Sequence, residues 1–143
     1  MSILPSSQIN LGTVKEEVYS NITYMIDFKN KRIRGIIDGK KAVIQAIKKI
    51  FATERFSCVI YSGQYGIELA SLRGENVGYV ISDLPRRVRD ALLVDDRIIS
   101  VENFSFSKSN QKDTLVCSCD VNTIYGDVKV EEMVSIWLLK KYL

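Results

Sequence analysis

The chain has 143 residues, of which 46% are hydrophobic and 26% charged, proportions typical of a single globular domain. It contains no histidine. This excludes catalysis by Ser-His or Cys-His pairs, an HExxH zinc site and an imidazole general base. Carboxylate chemistry, Ser-Lys chemistry and a purely structural role remain open.

Positive charge is concentrated in one segment of the chain. The net charge is only +3, but the segment from Lys29 to Lys49 holds eight basic residues and one acid, Asp38. That segment therefore carries +7, and the rest of the chain carries −4. We expect one basic face on a mildly acidic protein. A solvated helix face explains it most simply, and a nucleic-acid-binding module is a further alternative.

The cysteine count and hydropathy exclude several other classes. Cys117 and Cys119 are two residues apart in an alternating segment, and Cys58 stands alone. A CxC pair without further Cys or His cannot complete a tetrahedral zinc site, so we expect reduced thiols, no metal and no cofactor. The N-terminus lacks a signal pattern, and no apolar run reaches the roughly 18 residues of a membrane span. We expect a protein of a reducing, aqueous compartment.

The first predicted elements are an arm and a hairpin. Residues 1–22 lack periodicity and are interpreted as an extended N-terminal arm. Alternation over residues 23–37, broken at Asn30-Lys31, predicts two antiparallel strands. Tyr24 and Phe28 share one face of the first strand, and we expect both in the core rather than as stacking platforms for bases.

Two helices follow in the prediction. Asp38 is expected to cap a helix running from Lys40 to about Thr53. Its apolar residues recur every four positions, and Gln45 is grouped with the lysines on the polar faces. A second helix is predicted to begin near Ser82, with Pro85 in its first turn. Arg86, Arg87 and Arg89 lie off its apolar stripe.

The segment between the helices is predicted to be extended and to contain turns. The apolar run from Phe56 to Tyr61 predicts a short strand or an extended passage. Residues 62–66 contain two glycines and predict a turn, and residues 67–72 predict a short helical turn.

The C-terminal part predicts a three-stranded antiparallel meander. Residues 97–106 are β-rich, and their alternation slips near Glu102-Asn103, which indicates a bulge. The second strand is predicted from alternating apolar residues at Leu115, Cys117, Cys119 and Val121. The third is predicted from Val128, Val130, Val134 and Ile136, which share one parity and are interrupted by Glu132. We therefore predict an α+β fold with a single domain over residues 23–136, in which an antiparallel sheet of hairpin and meander packs with two main helices. Residues 137–143 form an apolar C-terminal tail that either folds back or meets a partner.

Catalytic residues are hard to find in this sequence. Glu54 is the one candidate acid for a two-carboxylate glycosidase, but the adjacent Arg55 favours its ionised form, whereas a general acid must hold its proton. No GxxxxGK[ST] or GxGxxG motif is present. We predict no catalytic residue and keep a peptidoglycan-cleaving, lysozyme-like enzyme as the main alternative.

Five segments in order resemble a known family. They are YMIDFKNKRIRGIIDG, KKAVIQAIKKIFATERF, YSGQYGIEL, RRVRDALLVDDRI and the meander from VENFSFS through TIYGDVKVE. This set is similar to the small baseplate wedge proteins of contractile phage tails, in the lysozyme-like wedge family. The closest likeness is to the subgroup from prophage-derived tails of Gram-positive bacteria. The type VI secretion baseplate subunit belongs to the same wider family.

The resemblance implies a structural subunit rather than an enzyme. Such a subunit sits in the baseplate of a virion or tail-like particle that is assembled in the bacterial cytoplasm. It joins central hub or spike and tube-initiator proteins to other wedge proteins, and it offers a sheet edge that the tail sheath extends. No nucleic-acid partner and no membrane span are implied. The family is marked by a Glu-Arg pair and an aromatic-glycine pair, matched here by Glu54-Arg55 and Tyr65-Gly66.

The predicted partner-binding residues follow from this resemblance and from strand physics. Glu54 and Arg55 would make charge-assisted hydrogen bonds to a wedge partner or form a salt bridge at the helix terminus. An edge strand carries unpaired backbone donors and acceptors, ready for strand addition. We expect that edge at the last strand and the start of the tail, at Val128, Val130, Val134, Ile136 and Trp137. The N-terminal arm is a second candidate contact.

Overall fold

The computed structural model describes residues 21–135. The elements in order are β1 (Thr23–Asp27), β2 (Arg32–Ile37), α1 (Gly39–Ala52), a short 3₁₀ helix (Ala70–Leu72), α2 (Val77–Leu92), β3 (Ile98–Lys108), β4 (Thr114–Thr123) and β5 (Gly126–Ser135). Most of the predicted arm and the predicted tail, with Ile136 and Trp137, lie outside the described residues.

The α+β prediction is confirmed, with two separate antiparallel sheets. β1 and β2 form a hairpin, and β3, β4 and β5 form the meander in that order. The helices pack their apolar faces on one face of the meander, which places the core between them. The largest fully buried side chains come from both layers: Val43, Ile47, Ile67, Val80, Leu84, Val88, Leu92, Cys117, Cys119 and Val121.

Helix α1 begins and ends close to the predicted positions. The Asp38 carboxylate accepts a hydrogen bond from the Gly39 N–H at 2.6 Å, as expected of a cap. The helix buries Val43, Ile47 and Ile50 along its inner face. Gln45 departs from the prediction, because its side chain is buried rather than solvated.

Helix α2 begins earlier than predicted. It starts at Val77, after an Asn76 cap whose side chain accepts from the Gly78 N–H at 2.8 Å, and not near Ser82. Pro85 therefore lies inside the helix rather than in its first turn. Proline is most common at a helix start, and this preference misplaced the boundary. The buried Val80 shows what holds the extra turn, since it belongs to the same apolar face as Leu84.

The predicted strand or extended passage from Phe56 to Tyr61 is wrong. The structure has consecutive turns there, with Ser57 N–H donating to the Glu54 carbonyl and Tyr61 N–H to the Cys58 carbonyl. Val59 is fully exposed, and the neighbouring apolar side chains are exposed as well. The apolar character of this run predicted extended structure, but no strand among residues 21–135 pairs with it.

The meander matches its prediction closely. Register shifts between Glu102 and Ser105, where Asn103 adopts a φ of 54°, so the predicted bulge is confirmed. Cys117 and Cys119 are buried free thiols on the core face of β4. A hydrogen bond with Cys119 and burial raise the pKa of the Cys117 thiol, which keeps it protonated.

The hairpin contributes much less to the core than predicted. Tyr24 is 67% exposed and Phe28 51% exposed, so the expectation that both are core residues is wrong. The reason lies in how the hairpin is attached. Gln45 of α1 accepts from the Ile26 N–H and donates to the Tyr24 carbonyl, each at 2.8 Å. α1 thus holds β1 by its backbone edge, and the faces of the hairpin stay largely uncovered.

Candidate functional site

The two marker pairs of the predicted site meet in one loop after α1. An isolated parallel bridge joins Glu54 to Ile67. It is made by hydrogen bonds from the Arg55 N–H to the Ile67 carbonyl at 3.1 Å and from the Ile67 N–H to the Thr53 carbonyl at 3.0 Å. The bridge places the Glu-Arg pair directly beside Gly66, which precedes Ile67.

The Glu54 side chain makes hydrogen bonds within the chain. Its Oε1 accepts hydrogen bonds from the Leu69 N–H at 3.0 Å and the Ala70 N–H at 2.8 Å, at the start of the short 3₁₀ helix. A carboxylate at this position satisfies donors that the first helical turn leaves unpaired. Across residues 21–135, no ion pair joins Glu54 to Arg55. The arrangement is that of a helix cap.

Arg55 has unused hydrogen-bonding capacity. Its Nη2 reaches the Gln64 carbonyl at 3.4 Å, a long contact, and its guanidinium lies 5.9 Å from the centre of the Phe56 ring. Its Nε is buried without a hydrogen-bond partner. An unpaired buried donor is uncommon and costs free energy, so Arg55 is under-satisfied in the isolated chain.

The Tyr65-Gly66 pair has a clear structural reason. Gly66 adopts a φ of +97°, and a Cβ there would lie 2.7 Å from the Thr53 carbonyl oxygen and 3.0 Å from the Arg55 nitrogen. Tyr65 stacks on Tyr61 with ring centres 4.5 Å apart and packs against the core. Burial, with smaller contributions from Tyr61 and Asp95, raises the pKa of Tyr65. The pair therefore closes the loop tightly onto α1.

An exposed apolar loop adjoins Arg55. We define it as residues 56–61, where Phe56, Val59, Ile60 and Tyr61 all expose large apolar side chains. Phe56 adopts a φ of 67°, which is unfavourable for a bulky residue. Backbone strain of this kind persists where the surrounding structure enforces it, often at binding sites. The loop is thus a preformed apolar surface beside an under-satisfied arginine.

The predicted residues of β5 face inward. Val128, Val130 and Val134 are buried in the core. β5 does lie at an edge of the meander, since the sheet order is β3-β4-β5 and no other described strand pairs with it. Contact with a partner there would use the backbone of β5. Ile136 and Trp137 lie outside the described residues.

A second edge was not predicted from the sequence. Gln45 occupies the outer edge of β1, whereas no described strand pairs with the outer edge of β2. Tyr24 and Ile26 direct their N–H and C=O groups away from β2, so in an antiparallel ladder their partners Ile36 and Ile33 direct theirs to the free edge. The signal in the sequence is Gln45, a polar residue three positions after the buried Ala42 and therefore close to the apolar stripe.

The arginines of α2 are already engaged. Asp83 pairs with Arg87 at 2.6 Å and with Arg86 at 3.0 Å, and Arg87 also donates to the Glu68 carbonyl and the Ser71 hydroxyl. Arg89 donates to the Val101 carbonyl. In the basic segment, by contrast, the one ion pair among the described residues joins Arg32 to Asp27 at 3.9 Å. Most of the positive charge of the basic segment is therefore not paired with an acidic side chain among the described residues.

Comparison with known proteins identifies the family. The model for contractile injection system sheath initiators matches residues 21–126, from the start of the hairpin to the first residue of β5. This chain belongs to the contractile injection system sheath initiator family. The sheath initiator is also 33% identical over 139 residues to the phage-like element PBSX protein XkdS of Bacillus subtilis (strain 168). That alignment covers 94% of this chain and 97% of the relative.

Two further observations concern the described part of this sheath initiator. No helix within residues 21–135 is long and apolar enough to cross a membrane. No cluster of three or more His, Cys, Asp or Glu side chains in the same range is arranged to hold a metal ion.

Proposed function

We propose that this sheath initiator is a structural, non-enzymatic baseplate subunit of the wedge subgroup, on which the first ring of tail sheath is built by strand addition. It would link central hub or spike and tube-initiator proteins to other wedge proteins in the baseplate of a virion or tail-like particle, after assembly in the bacterial cytoplasm. The observation that carries the proposal is the free edge of β2 on a hairpin whose apolar side chains are exposed.

Physical reasoning favours β2 as the accepting strand. A two-stranded hairpin is marginal by itself, and a third strand or a packed face is what stabilises it. Here β1 is already held by Gln45, so a third strand can add only at β2. The family match also takes in the whole hairpin and stops at Gly126, the first residue of β5. Strand addition at β2 would complete the sheet.

The edge of β5 remains the rival position. Its core-facing valines are covered, so a strand added there would gain little side-chain burial from them. The prediction that β5 and the following tail accept the sheath strand stays a prediction. Because the two edges involve different residues, mutations can test them separately.

The test uses an edge-blocking substitution. Ile33→Pro removes an N–H that faces the free edge of β2 and leaves the bonds between β1 and β2 intact. Ile33→Ala is the matched control, because it removes the same side chain but keeps the N–H. Each variant replaces the native copy in a producing strain, and particles are imaged by electron microscopy.

We expect Ile33→Pro to give baseplates without sheath and Ile33→Ala to give sheathed tails. Deleting residues 137–143 tests the rival edge, since baseplates that then fail to start sheath would indicate β5 and its tail. Full-length sheathed tails from both Ile33→Pro and the deletion would exclude strand addition at either edge.

We further propose that Arg55 and the apolar loop contact a wedge partner. The support is the unpaired Nε of Arg55 and the exposed loop beside it. Alanine at both Glu54 and Arg55 would confuse this test, because Glu54 caps the 3₁₀ helix. Arg55→Ala alone should stop tail assembly and leave the unfolding midpoint unchanged. Arg86→Ala, which removes an exposed arginine of α2, is the control, and normal tails from Arg55→Ala would contradict the proposal.

A further inference from the structure

We infer that the strand accepted by β2 is amphipathic, with acidic residues on one face and apolar residues on the other. This inference rests on the proposed function and names the chemistry of the partner segment. The hairpin has one apolar and one basic face, and the side chains of an added strand must complement both. Its two faces carry different side chains, and most of them lie exposed.

One face of the hairpin is apolar. Tyr24 lies opposite Ile36, and Ile26 lies opposite Ile33. The register shifts between the two pairs, and Gly35 takes up the extra residue with a φ of 56°, which brings both pairs to the same face. Three of these four side chains are 66–67% exposed. Apolar side chains from a third strand would remove this surface from water.

Positive charge is concentrated on the opposite face, which also carries Met25 and Ile37, and at the turn. Arg32 and Arg34 alternate with Ile33, so both lie on the face away from the apolar pairs. Lys29 and Lys31 add two charges at the turn, and Asp27 is the one acid in the hairpin. Its pKa is lowered chiefly by hydrogen bonds from Asn30, so it stays ionised, yet it lies 3.9 Å from Arg32. Most of the positive charge of the hairpin is therefore free.

The two faces of the hairpin define the sequence pattern that an added strand should have. Residues of an added strand alternate between the two faces with a period of two. Oppositely charged side chains directly across a ladder stabilise it and like charges destabilise it. A strand that alternates acidic and apolar residues fits both faces at once. Residues 136–143 of the chain itself contain two lysines and no acid, which makes them a poor match.

Two synthetic peptides test the pattern. The first alternates glutamate with valine or threonine over eight residues, and the second replaces each glutamate with lysine. Each is titrated into the full chain, and backbone amide protection of Ile33 and Ile36 is followed by NMR hydrogen exchange. We expect the acidic peptide to protect both amides and to bind at least tenfold more tightly. The preference should shrink as salt is raised.

A charge swap in the protein provides the reciprocal test. The double variant R32E/R34E should reverse the preference, so that the lysine peptide binds more tightly. The neutral variant R32Q/R34Q should bind the two peptides about equally. K108E/K112E, which changes two lysines at and after the end of β3, is the control and should keep the original preference. In each variant, protection of the Ile26 amide by Gln45 reports whether the hairpin is intact.

The outcomes separate this inference from the proposed function. Equal binding of both peptides to the native chain, or an unchanged preference in R32E/R34E, would overturn the amphipathic pattern and leave strand addition standing. The amphipathic pattern would also be overturned if neither peptide protected the Ile33 and Ile36 amides. Slow exchange of Ile33 and Ile36 in the free chain would mean that the edge of β2 is already filled within the chain, and it too would overturn the inference. Failure of the proposed function is reported separately, by normal sheath on Ile33→Pro particles.

Discussion

Gly66 decides how closely the loop after α1 can approach the helix end. Two effects act there, since its φ of +97° disfavours any side chain and a Cβ would lie 2.7 Å from the Thr53 carbonyl oxygen. The left-handed conformation alone costs an alanine about 1–2 kcal/mol, and the steric clash adds about 1–3 kcal/mol. Gly66→Ala should therefore lower the urea midpoint substantially.

Gly74 offers a matched control for that substitution. It also adopts a positive φ, +86°, but a Cβ there meets no atom within 4 Å. Gly74→Ala should therefore show the conformational cost alone. Equal losses of stability in the two variants would mean that the close contact with Thr53 and Arg55 does not matter.

Glu54 stabilises the start of the short 3₁₀ helix that follows the loop after α1. Glu54→Ala leaves the Leu69 and Ala70 N–H groups without their acceptor, and we expect a loss of about 1–2 kcal/mol. Hydrogen exchange of these two amides should speed up selectively. Glu54→Gln keeps an acceptor oxygen but loses the charge, so its loss should be smaller. Unchanged exchange at Leu69 and Ala70 in the alanine variant would contradict the capping role.

At the level of elements, Gln45 connects the hairpin to α1. Gln45→Ala removes both hydrogen bonds to β1 and leaves a cavity under it, so we expect local opening of the hairpin. Amides of residues 23–37 should exchange faster, whereas those of β4 should be unchanged. Gln64→Ala, which truncates an exposed glutamine, is the control. Uniform destabilisation of all elements would argue against a separable hairpin.

Glu132 interrupts the apolar face of β5. Burial raises its pKa, and the charge of Lys48 acts in the opposite direction. A carboxyl group whose pKa is raised by folding destabilises the folded state while it is ionised, and the penalty disappears as the pH falls through that pKa. Glu132→Gln should therefore raise the free energy of unfolding at pH 7 by a small amount, below about 1 kcal/mol.

The same gain should vanish near pH 3, where the native glutamate is protonated in both states. Glu131→Gln is the control, because Glu131 lies exposed on the outer face of β5. A gain at pH 7 that persists at pH 3 would mean that packing, rather than charge, limits stability at this position.

The elements that sequence patterns predicted well are those whose pattern comes from burial. The stripe of α1 and the alternation of β4 follow the core directly, so their positions could be predicted within a residue or two. The start of α2 could not, because the preference of Pro85 for a first turn competed with the apolar face that Val80 extends. Local preference and packing disagreed, and packing prevailed.

The failures at the candidate site have a different cause. The sequence predicts a strand or extended passage at residues 56–61 and core positions for Tyr24 and Phe28, yet the large apolar side chains of both segments are exposed. Hydrophobic patterns report which side chains avoid water, but they do not say whether the covering surface lies in the same chain. These two segments are where the proposed partners of a sheath initiator would supply that surface.

At the scale of the whole molecule, charge is separated between its two layers. α1 and the hairpin carry the basic segment, whereas the outer face of the meander carries Glu102, Asp120, Asp127 and Glu131 with one lysine. Such a dipolar distribution orients a protein before contact and acts over about 10 Å at moderate salt. It gives the hairpin and the outer face of the meander opposite preferences for the charge of a partner.

Asp95 lies at the turn from α2 into β3, and its pairing with Arg97 should contribute to the acid stability of the fold. Its carboxylate accepts from the Arg97 backbone N–H at 3.0 Å and pairs with the guanidinium at 2.6 Å. Burial acts to raise the pKa of Asp95, but the hydrogen bonds and charge of Arg97 outweigh it and hold the pKa below its ordinary value. The stabilisation is therefore fully present above about pH 4 and is lost as the pH falls further.

Asp95→Asn should cost about 1–2 kcal/mol at pH 7, since solvent reaches part of the pair and Arg97 loses its counter-ion. The gap between the variant and the native chain should narrow steadily below pH 4, because the native aspartate then becomes protonated on unfolding and finally in the fold itself. Asp96→Asn, one residue along and exposed, is the control and should track the native chain at every pH. Urea midpoints measured from pH 7 to pH 2.5 follow both variants. A gap that stays constant across that range would show that the Asp95 side chain acts through shape rather than through its charge.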